Sequence, residues 1–413
     1  MPSHSGPNTF GEENLVFAYD LGDTVNSYKG PPTQNFAHAN VANCSTTSGW
    51  DGTSVHTQFG VSRTFGIQKD GRTTLHVMYS PNDAAGTSYP TFRLKDVNGT
   101  NVQTNGGEVF YLQFEWKSQG ANYLVEGGDN YNLSTFYGNG WKAGTHMSAQ
   151  DFGSVPIGNG WYRRTVKYTA ANVTGQTPLM RFGSGYKRTS GGNYHLWVAN
   201  VTMTSNNPPL KWLPGQSIRS ATQGLIDLVG NSTIDLTNVS FDSNAQVDFD
   251  GTDDHVSVGD AAIFNFTSAL TIELWTYVTS FDAGGCMFIC QQNGATQGGF
   301  EFWSQTSGAI RFNSNASVNI AASPSGTFEL NKWQHLVCTA DGTTGKIYVN
   351  GELVATNSAG LPDNVNGDLR IGDWPLAGYR VNGSIPVVKM YNQALTAEEV
   401  AENFNGIRSR FGI

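Results

Sequence analysis

The sequence predicts an all-β protein: two antiparallel β-sandwich domains, with one short helix near the C-terminus. Three observations lead there. Apolar residues recur with a period of two in several runs. In Val109–Trp116, Phe110, Leu112, Phe114 and Trp116 fall on one face and Tyr111, Gln113 and Glu115 on the other, the pattern of a half-buried strand. The 413 residues include 49 Gly, only 14% are charged, and 12% are aromatic. That mixture suits a turn-rich protein with a polar, weakly charged surface, and it carries too many aromatics for a disordered chain. Finally, residues 331–354, NKWQHLVCTADGTTGKIYVNGELV, read as a β-meander. Asn350-Gly351 separates two apolar runs, and this pair is the strongest short hairpin signal because a type I′ turn needs positive φ at both central residues.

Taken in order, residues 1–13 form a polar arm. Leu15–Tyr19 is a short strand, followed by turn-rich sequence as far as Pro32. Residues 36–208 make the first sandwich, with strands at Thr73–Tyr79, Val109–Trp116, Trp161–Thr169 and Tyr194–Met203. In Trp161–Thr169, Tyr162, Val166 and Tyr168 share a side. Pro208-Pro209 and Pro214-Gly215 then break the pattern, and 209–215 reads as a linker. Residues 216–413 hold the second β-rich unit. Its strands are Ala245–Phe249, His255–Val258, Leu270–Val278, Met287–Gln291, Gly299–Ser304, Ile310–Asn313, the meander, Leu369–Ile371 and Ile385–Tyr391. Only the tail changes period. Thr396 as N-cap, Glu399 three residues on, and Leu395 and Val400 around them form a capping box with a hydrophobic staple, which predicts a helix over Ala397–Asn403.

The net charge of −9 has no basic stripe within it, which argues against nucleic-acid binding. No run of about 18 apolar residues is present, so no membrane-spanning helix is expected. The opening MPSHSGPNTFGEEN lacks an apolar core and predicts no secretory signal peptide. Asn-x-Ser/Thr triplets such as Asn172-Val173-Thr174 then follow from Asn/Thr richness alone. The cysteines are Cys44, Cys286, Cys290 and Cys338. On one regular strand Cys286 and Cys290 would face the same way about 13 Å apart, too far to bridge. Their spacing lacks the second ligand pair of a zinc site. Buried free thiols, and a reducing compartment, are the expectation.

Five stretches resemble the laminin-G-like, concanavalin A-like jelly roll, in that family's order: VDFDGTDDHVSVGD (247–260), LTIELWTYV (270–278), the 331–354 meander, LRIGDW (369–374) and NGSIPVVKMYNQALTAEEVAENFN (382–405). NLVFAYDLGDTVNSYKG (14–30) looks like the opening strand of such domains in tailed-bacteriophage virion proteins, where a segment like 224–251 normally follows closely. The resemblance therefore implies a jelly roll made of 14–35 plus 216–413, with the sandwich at 36–208 inserted into it. GWYRRTVKYT (160–169) gives the inserted unit a loose resemblance to galactose-binding-like carbohydrate modules.

The chemistry in the sequence is sparse. Glycan hydrolases on this fold carry a Glu-x-Asp-x-x-Glu strand that sets two carboxylates on one face. Here Glu273 and Glu301 stand alone on their strands, no nucleophile elbow, zinc-protease helix or phosphate loop is found, and His335 reads as a structural strand residue. No catalytic residue is assigned and no enzyme activity is expected. Asp250, Asp253 and Asp254, with Asp248 nearby, form the densest acidic cluster. Hard oxygen ligands of this kind suit Ca²⁺, while Gly251 among them equally fits a tight turn between strands. Tyr131, Tyr137 and Trp141 lie in an Asn- and Gly-rich loop, and Trp374 and Tyr379 in the loop GDWPLAGYRVNG. Such rings either stack on a sugar or pack their loop against the protein. The reading is a non-enzymatic structural and adhesive virion protein, decorating a capsid or forming part of a tail fibre and assembled in the host cytoplasm. Its implied partners are other virion proteins, further copies of itself (a trimer by analogy) and cell-surface glycans, with neither nucleic acid nor membrane. The alternative is a bacterial calcium-dependent carbohydrate-binding protein.

Overall fold

The computed structural model describes residues 14–37, 39–45, 50–51, 61–79, 91–93, 98–100, 107–119, 134–137, 147–170, 179–182, 194–205, 215, 217–242, 245–259, 262–292, 299–314, 318–375 and 378–413. The chain forms two compact units. One joins Met1–Pro32 to Ser220–Ile413, and the other is the continuous segment Thr33–Arg219. Antiparallel strands dominate both. No helix among the described residues is long and apolar enough to cross a membrane.

In the first unit, the strand Leu15–Asp20 pairs antiparallel with Asn382–Tyr391, Tyr19 opposite Val388. Leu270–Ser280 occupies the other edge of that same strand. Val247–Asp250 therefore takes the remaining length beyond Leu15–Asp20, with Phe249 opposite Gly383. The eight-stranded sheet continues through Trp333–Ala340, Thr344–Val349 and Glu352–Ser358. The meander turns as its sequence requires, with Asn350 at φ 51° and Gly351 at φ 84°. A second, six-stranded sheet runs Val256–Gly259, Asp368–Ile371, Cys286–Gln292, Phe300–Ser304, Ile310–Ser314 and Val318–Ala322. One of its faces is apolar, and Phe288, Phe302, Phe312 and Phe328 form a chain of ring contacts there with centroids 5.2–6.3 Å apart.

The C-terminal helix covers the outward face of the eight-stranded sheet. Thr396 Oγ1 accepts from the Glu399 N–H at 3.2 Å, and Glu399 returns a carboxylate oxygen to the Thr396 N–H at 2.7 Å. Leu395 and Val400 are buried with Val337, Tyr348 and Tyr391. The helix spans Ala397–Ile407, longer than the capping signal alone implied. Phe404 and Ile407 extend its apolar face onto Trp275 and Val387, and this tertiary packing sustains the extra turn. Beneath it lies a fully buried polar group. Glu273 accepts from Asn403 Nδ2 at 2.7 Å and from the Tyr391 hydroxyl at 3.3 Å, and His335 Nε2 stands 3.2 Å away as an ion-pair contact.

The inserted unit is organised by a six-stranded sheet of Val61–Lys69, Arg72–Tyr79, Tyr194–Ser205, Val109–Gln119, Trp161–Ala170 and Met147–Gly158. Leu75, Val77, Phe110, Leu112, Phe114, Trp116, Val166, Leu196, Val198 and Met203 bury one face, the period-2 set expected from sequence. A short ladder of Thr33–Gln34 with Ile218–Arg219 and the Asn35 N–H to Ser217 carbonyl bond of 3.0 Å bring the unit's entry and exit together. Of the expected 209–215 linker, only Gly215 is among the described residues.

All four cysteines are buried and free. The expected common orientation of Cys286 and Cys290 is corrected by a bulge. The register shifts between Met287 and Ile289, so Met287 pairs with Trp303 and Cys290 with Glu301, whereas Cys286 pairs with Ser304. One extra residue in the strand reverses the alternation, and the two thiols point to opposite faces.

Candidate functional site

The second face of the six-stranded sheet is polar, and strand register assembles it. Cys290 lies opposite Glu301 and Arg370, Glu301 opposite Asn313, and Asn313 opposite Asn319. Two residues along, Met287, Trp303 and Arg311 make the adjoining row. Directly paired residues share a face, so FEFWS and IRFNS each send Phe to the core and Glu/Trp or Arg/Asn outward.

A pocket of about 330 Å³ opens on this face, walled by Met287, Glu301, Trp303, Arg311, Asn313, Trp374 and Tyr379, with Gln305 and Asn319 at its margin. The ring of Tyr379 meets Trp303 edge-on at 5.3 Å and Trp374 edge-on at 5.1 Å, both at 89°. The loop carrying Trp374 and Tyr379 is pinned to the turn before Cys286. Met287 N–H donates to the Tyr379 carbonyl at 2.8 Å, Gly284 N–H to the Gly378 carbonyl at 2.9 Å, and Arg380 N–H to Asp282 Oδ2 at 3.2 Å. Gly284 lies against the Tyr379 ring so closely that a Cβ there would stand 2.5 Å from it.

Four polar atoms in this wall are buried without a hydrogen-bond partner among the described residues: Trp303 Nε1, Trp374 Nε1, Arg311 Nε and Asn313 Oδ1. Asn313 is 5% exposed and Glu301 3%. Arg311 gives one terminal nitrogen to the Gln305 amide oxygen at 3.1 Å. Behind Trp374, burial pushes the Asp373 carboxyl up, against the opposing pull of His255 and then of Arg370, whose Nη1 lies 3.5 Å away. Burial also raises the Cys290 thiol on the pocket face.

Among the residues singled out from sequence, Trp374 and Tyr379 lie together in this pocket. Tyr131 and Trp141 lie outside the described residues. Tyr137 ends the strand Ser134–Tyr137, and its side chain is likewise outside them. Asp250, Asp253 and Asp254 do converge, with carboxylate oxygens within 4.8 Å of one another. The two oxygens of Asp254 accept the Ser240 and Asp250 N–H groups at 2.8 Å each, and Asp250 Oδ1 accepts the Thr252 N–H at 2.7 Å. Burial raises the Asp254 carboxyl. This hydrogen bonding is what a turn-forming role requires of Asp254; a calcium ion would be held by one carboxylate oxygen from each of the three residues. Glu273 lies under the C-terminal helix. Burial alone would raise it, but Lys389, then His335 and Asn403, hold its carboxyl down at about 2.

Residues 250–401 match the sequence profile of the concanavalin A-like lectin/glucanases superfamily. With the two antiparallel sheets described above, they define a concanavalin A-like, laminin G-like domain. None of the curated proteins compared with the chain matches it. Among solved structures, the chain is similar to the Trypanosoma rangeli sialidase in complex with the inhibitor DANA, at 17% identity and a TM-score of 0.37, over 46% of this chain and 31% of that one. It is similar to the Ruminococcus gnavus IT-sialidase CBM40 bound to α2,3-sialyllactose at 17% identity and a TM-score of 0.31, over 36% of this chain and 92% of that one. It is also similar to a botulinum neurotoxin type C structure whose cell entry depends on two ganglioside molecules, at 15% identity and a TM-score of 0.35, over 45% and 49% of the two chains. The match spans about a third of the sialidase's own length.

Proposed function

We propose that this chain is a non-enzymatic glycan-binding protein that acts as a structural and adhesive component of a tailed-phage particle. The observation behind the glycan reading is that Trp303, Trp374, Arg311 and Asn313 line one space walled by three aromatic rings, and that each carries a buried polar atom without a hydrogen-bond partner among the described residues. A buried polar atom left without a partner costs roughly 1–3 kcal/mol. A sugar supplies what this wall lacks: hydroxyls that both donate and accept, and C–H faces that lie against aromatic rings.

Glycosidases use two carboxyl groups about 5–9 Å apart across the scissile bond. Among the described residues one carboxylate, Glu301, lines the pocket, and Glu273 is engaged beneath the C-terminal helix. Binding without hydrolysis is the reading that this favours. The virion role rests on the likeness of 14–30 and 224–251 to phage virion domains, and it brings with it assembly in the host cytoplasm, a trimer and other virion proteins as neighbours.

Titration of the full chain with a panel of oligosaccharides, in parallel with Trp374→Ala, tests the first part. Binding that falls at least about tenfold in the variant supports it, and no binding across the panel overturns it. Immunogold labelling of purified particles tests the second, and absence of label from head and tail overturns the virion role alone.

A further inference from the structure

We infer that the pocket selects saccharides bearing an anionic group, a carboxylate or sulfate, and that Arg311 is the residue that takes it; this rests on the glycan-binding reading above. The unpartnered atoms in the wall are not balanced between donors and acceptors. Trp303 Nε1, Trp374 Nε1 and Arg311 Nε are N–H donors, and Asn313 Oδ1 is the one acceptor. A hydroxyl can accept from these donors but brings a donor of its own with each oxygen. A carboxylate or sulfate offers several acceptor lone pairs and no donor.

The second observation is the state of Arg311 itself. It lies on the strand Ile310–Ser314 in the same row as Trp303. One of its terminal nitrogens donates to the neutral Gln305 amide oxygen at 3.1 Å. The other arginines around the site are neutralised: Arg370 by Asp373 at 3.5 Å and Arg380 by Asp282 at 3.6 Å. Among the described residues Arg311 has no ion pair within 4.0 Å. A guanidinium with a buried, unpartnered Nε in an aromatic-walled pocket presents a fork suited to two oxygens of one anion. Gln305 holds one terminal nitrogen and fixes the plane of the group.

Glu301 is in the same wall and bears the opposite charge. Strand register separates the two in role: Glu301 pairs with Cys290 and Asn313, whereas Arg311 pairs with Trp303. Glu301 therefore sits one row from Arg311, next to Asn313. There Asn313 Oδ1 is placed to accept a ring hydroxyl, while the anionic substituent is directed to the Arg311–Trp303 row. The ligand this describes is a hydroxylated ring carrying one acidic substituent at its edge, not a polyanion.

The test is calorimetric titration of the full chain with matched neutral, uronate-terminated and sulfated oligosaccharides, at low and high salt. Wild type is expected to bind the acidic members at least about tenfold more tightly than the neutral ones, with the advantage shrinking as salt rises. Arg311→Gln should abolish the preference, bringing the affinity for acidic members down at least to that for neutral ones, and Arg311→Lys should retain charge attraction but lose the discrimination between carboxylate and sulfate geometry. Whichever of the two acidic classes wild type prefers identifies the anion. Equal binding of neutral and acidic members by wild type overturns the inference and leaves glycan binding standing, and this comparison does not depend on the variants folding. Absence of binding to every member overturns the glycan reading, and with it this one.

Discussion

Replacing Glu273 by Gln should loosen the C-terminal helix by an amount that can be worked out from its surroundings. The side chain is fully buried and accepts from Asn403 and Tyr391. Gln preserves its size and one acceptor but removes the charge that faces Lys389 and His335. The carboxyl titrates at about 2 in the fold against 4.5 ordinarily, a difference that contributes about 3 kcal/mol at neutral pH. Because the folded value is the depressed one, that contribution is fully present above pH 4.5 and is lost as pH falls toward 2. With two compact units in the chain, a single melting temperature would blend two transitions. Hydrogen exchange of the amides in 397–407 is the better assay. The opening free energy of this helix should fall in Glu273→Gln at pH 7, by at most about 3 kcal/mol, since Lys389 and His335 lie on strands and only Asn403 on the helix. Wild type and variant should converge as pH is lowered from 4.5. A variant within about 0.5 kcal/mol of wild type, or two curves that stay parallel into acid, would refute the assignment of charge to this buried group.

Thr396→Ala removes the N-cap of the same helix and should cost about 1 kcal/mol, read by the same exchange experiment as faster opening of its first turn. Gly284→Ala forces a methyl group against the Tyr379 ring, so it should weaken glycan binding several-fold in titration while hydrogen exchange of the amides in 397–407 stays as in wild type. In the inserted unit, His76 Nε2 lies 2.9 Å from His195 Nδ1, with the rings stacked at 5.1 Å. Burial, then the charges of His195 and Lys69, lower the His76 imidazole below its usual 6.5. The unfolded chain therefore takes up the proton first, so the unit should lose stability as pH drops through 6.5 in chemical denaturation, and His76→Gln should flatten that dependence.

Strands were legible wherever one face is uniformly apolar. Val109–Gln119 and the 331–354 meander follow directly from alternation and from Asn350-Gly351. Val61–Lys69 carries no clean alternation because Gly66, at φ 73°, interrupts it where the register with its neighbour slips between Thr64 and Ile67. The bulge at Phe288 was equally invisible, and with it the opposite orientations of Cys286 and Cys290. The pocket was half legible. Trp374 and Tyr379 announce themselves as aromatics in a glycine-bearing loop. Trp303, Arg311 and Asn313 join them only through pairings between strands, which no local pattern encodes. A signal was nevertheless present: FEFWS and IRFNS alternate Phe with polar or amphipathic residues, as expected of strands with one face reserved for something other than a core. The acidic cluster shows the reverse. Three neighbouring Asp residues read equally as ion ligands or as a turn, and hydrogen bonds to backbone N–H groups engage Asp254 on both oxygens, one of them from Ser240 in a strand that lies earlier in the chain.

The pairing of Leu15–Asp20 with Asn382–Tyr391 also dictates an order of events during synthesis. The first strand leaves the ribosome with no partner and waits until nearly the whole chain has followed. The segment Thr33–Arg219, whose ladder between Thr33–Gln34 and Ile218–Arg219 is complete long before then, can close on itself meanwhile. Long-range pairings of this kind fold slowly because the loop must be closed before its contacts repay the lost entropy. A finished inserted unit shortens that loop by holding the ends of 187 intervening residues, Thr33–Arg219, side by side. It therefore acts as an internal clamp that delivers the opening strand to the place where the last one will arrive.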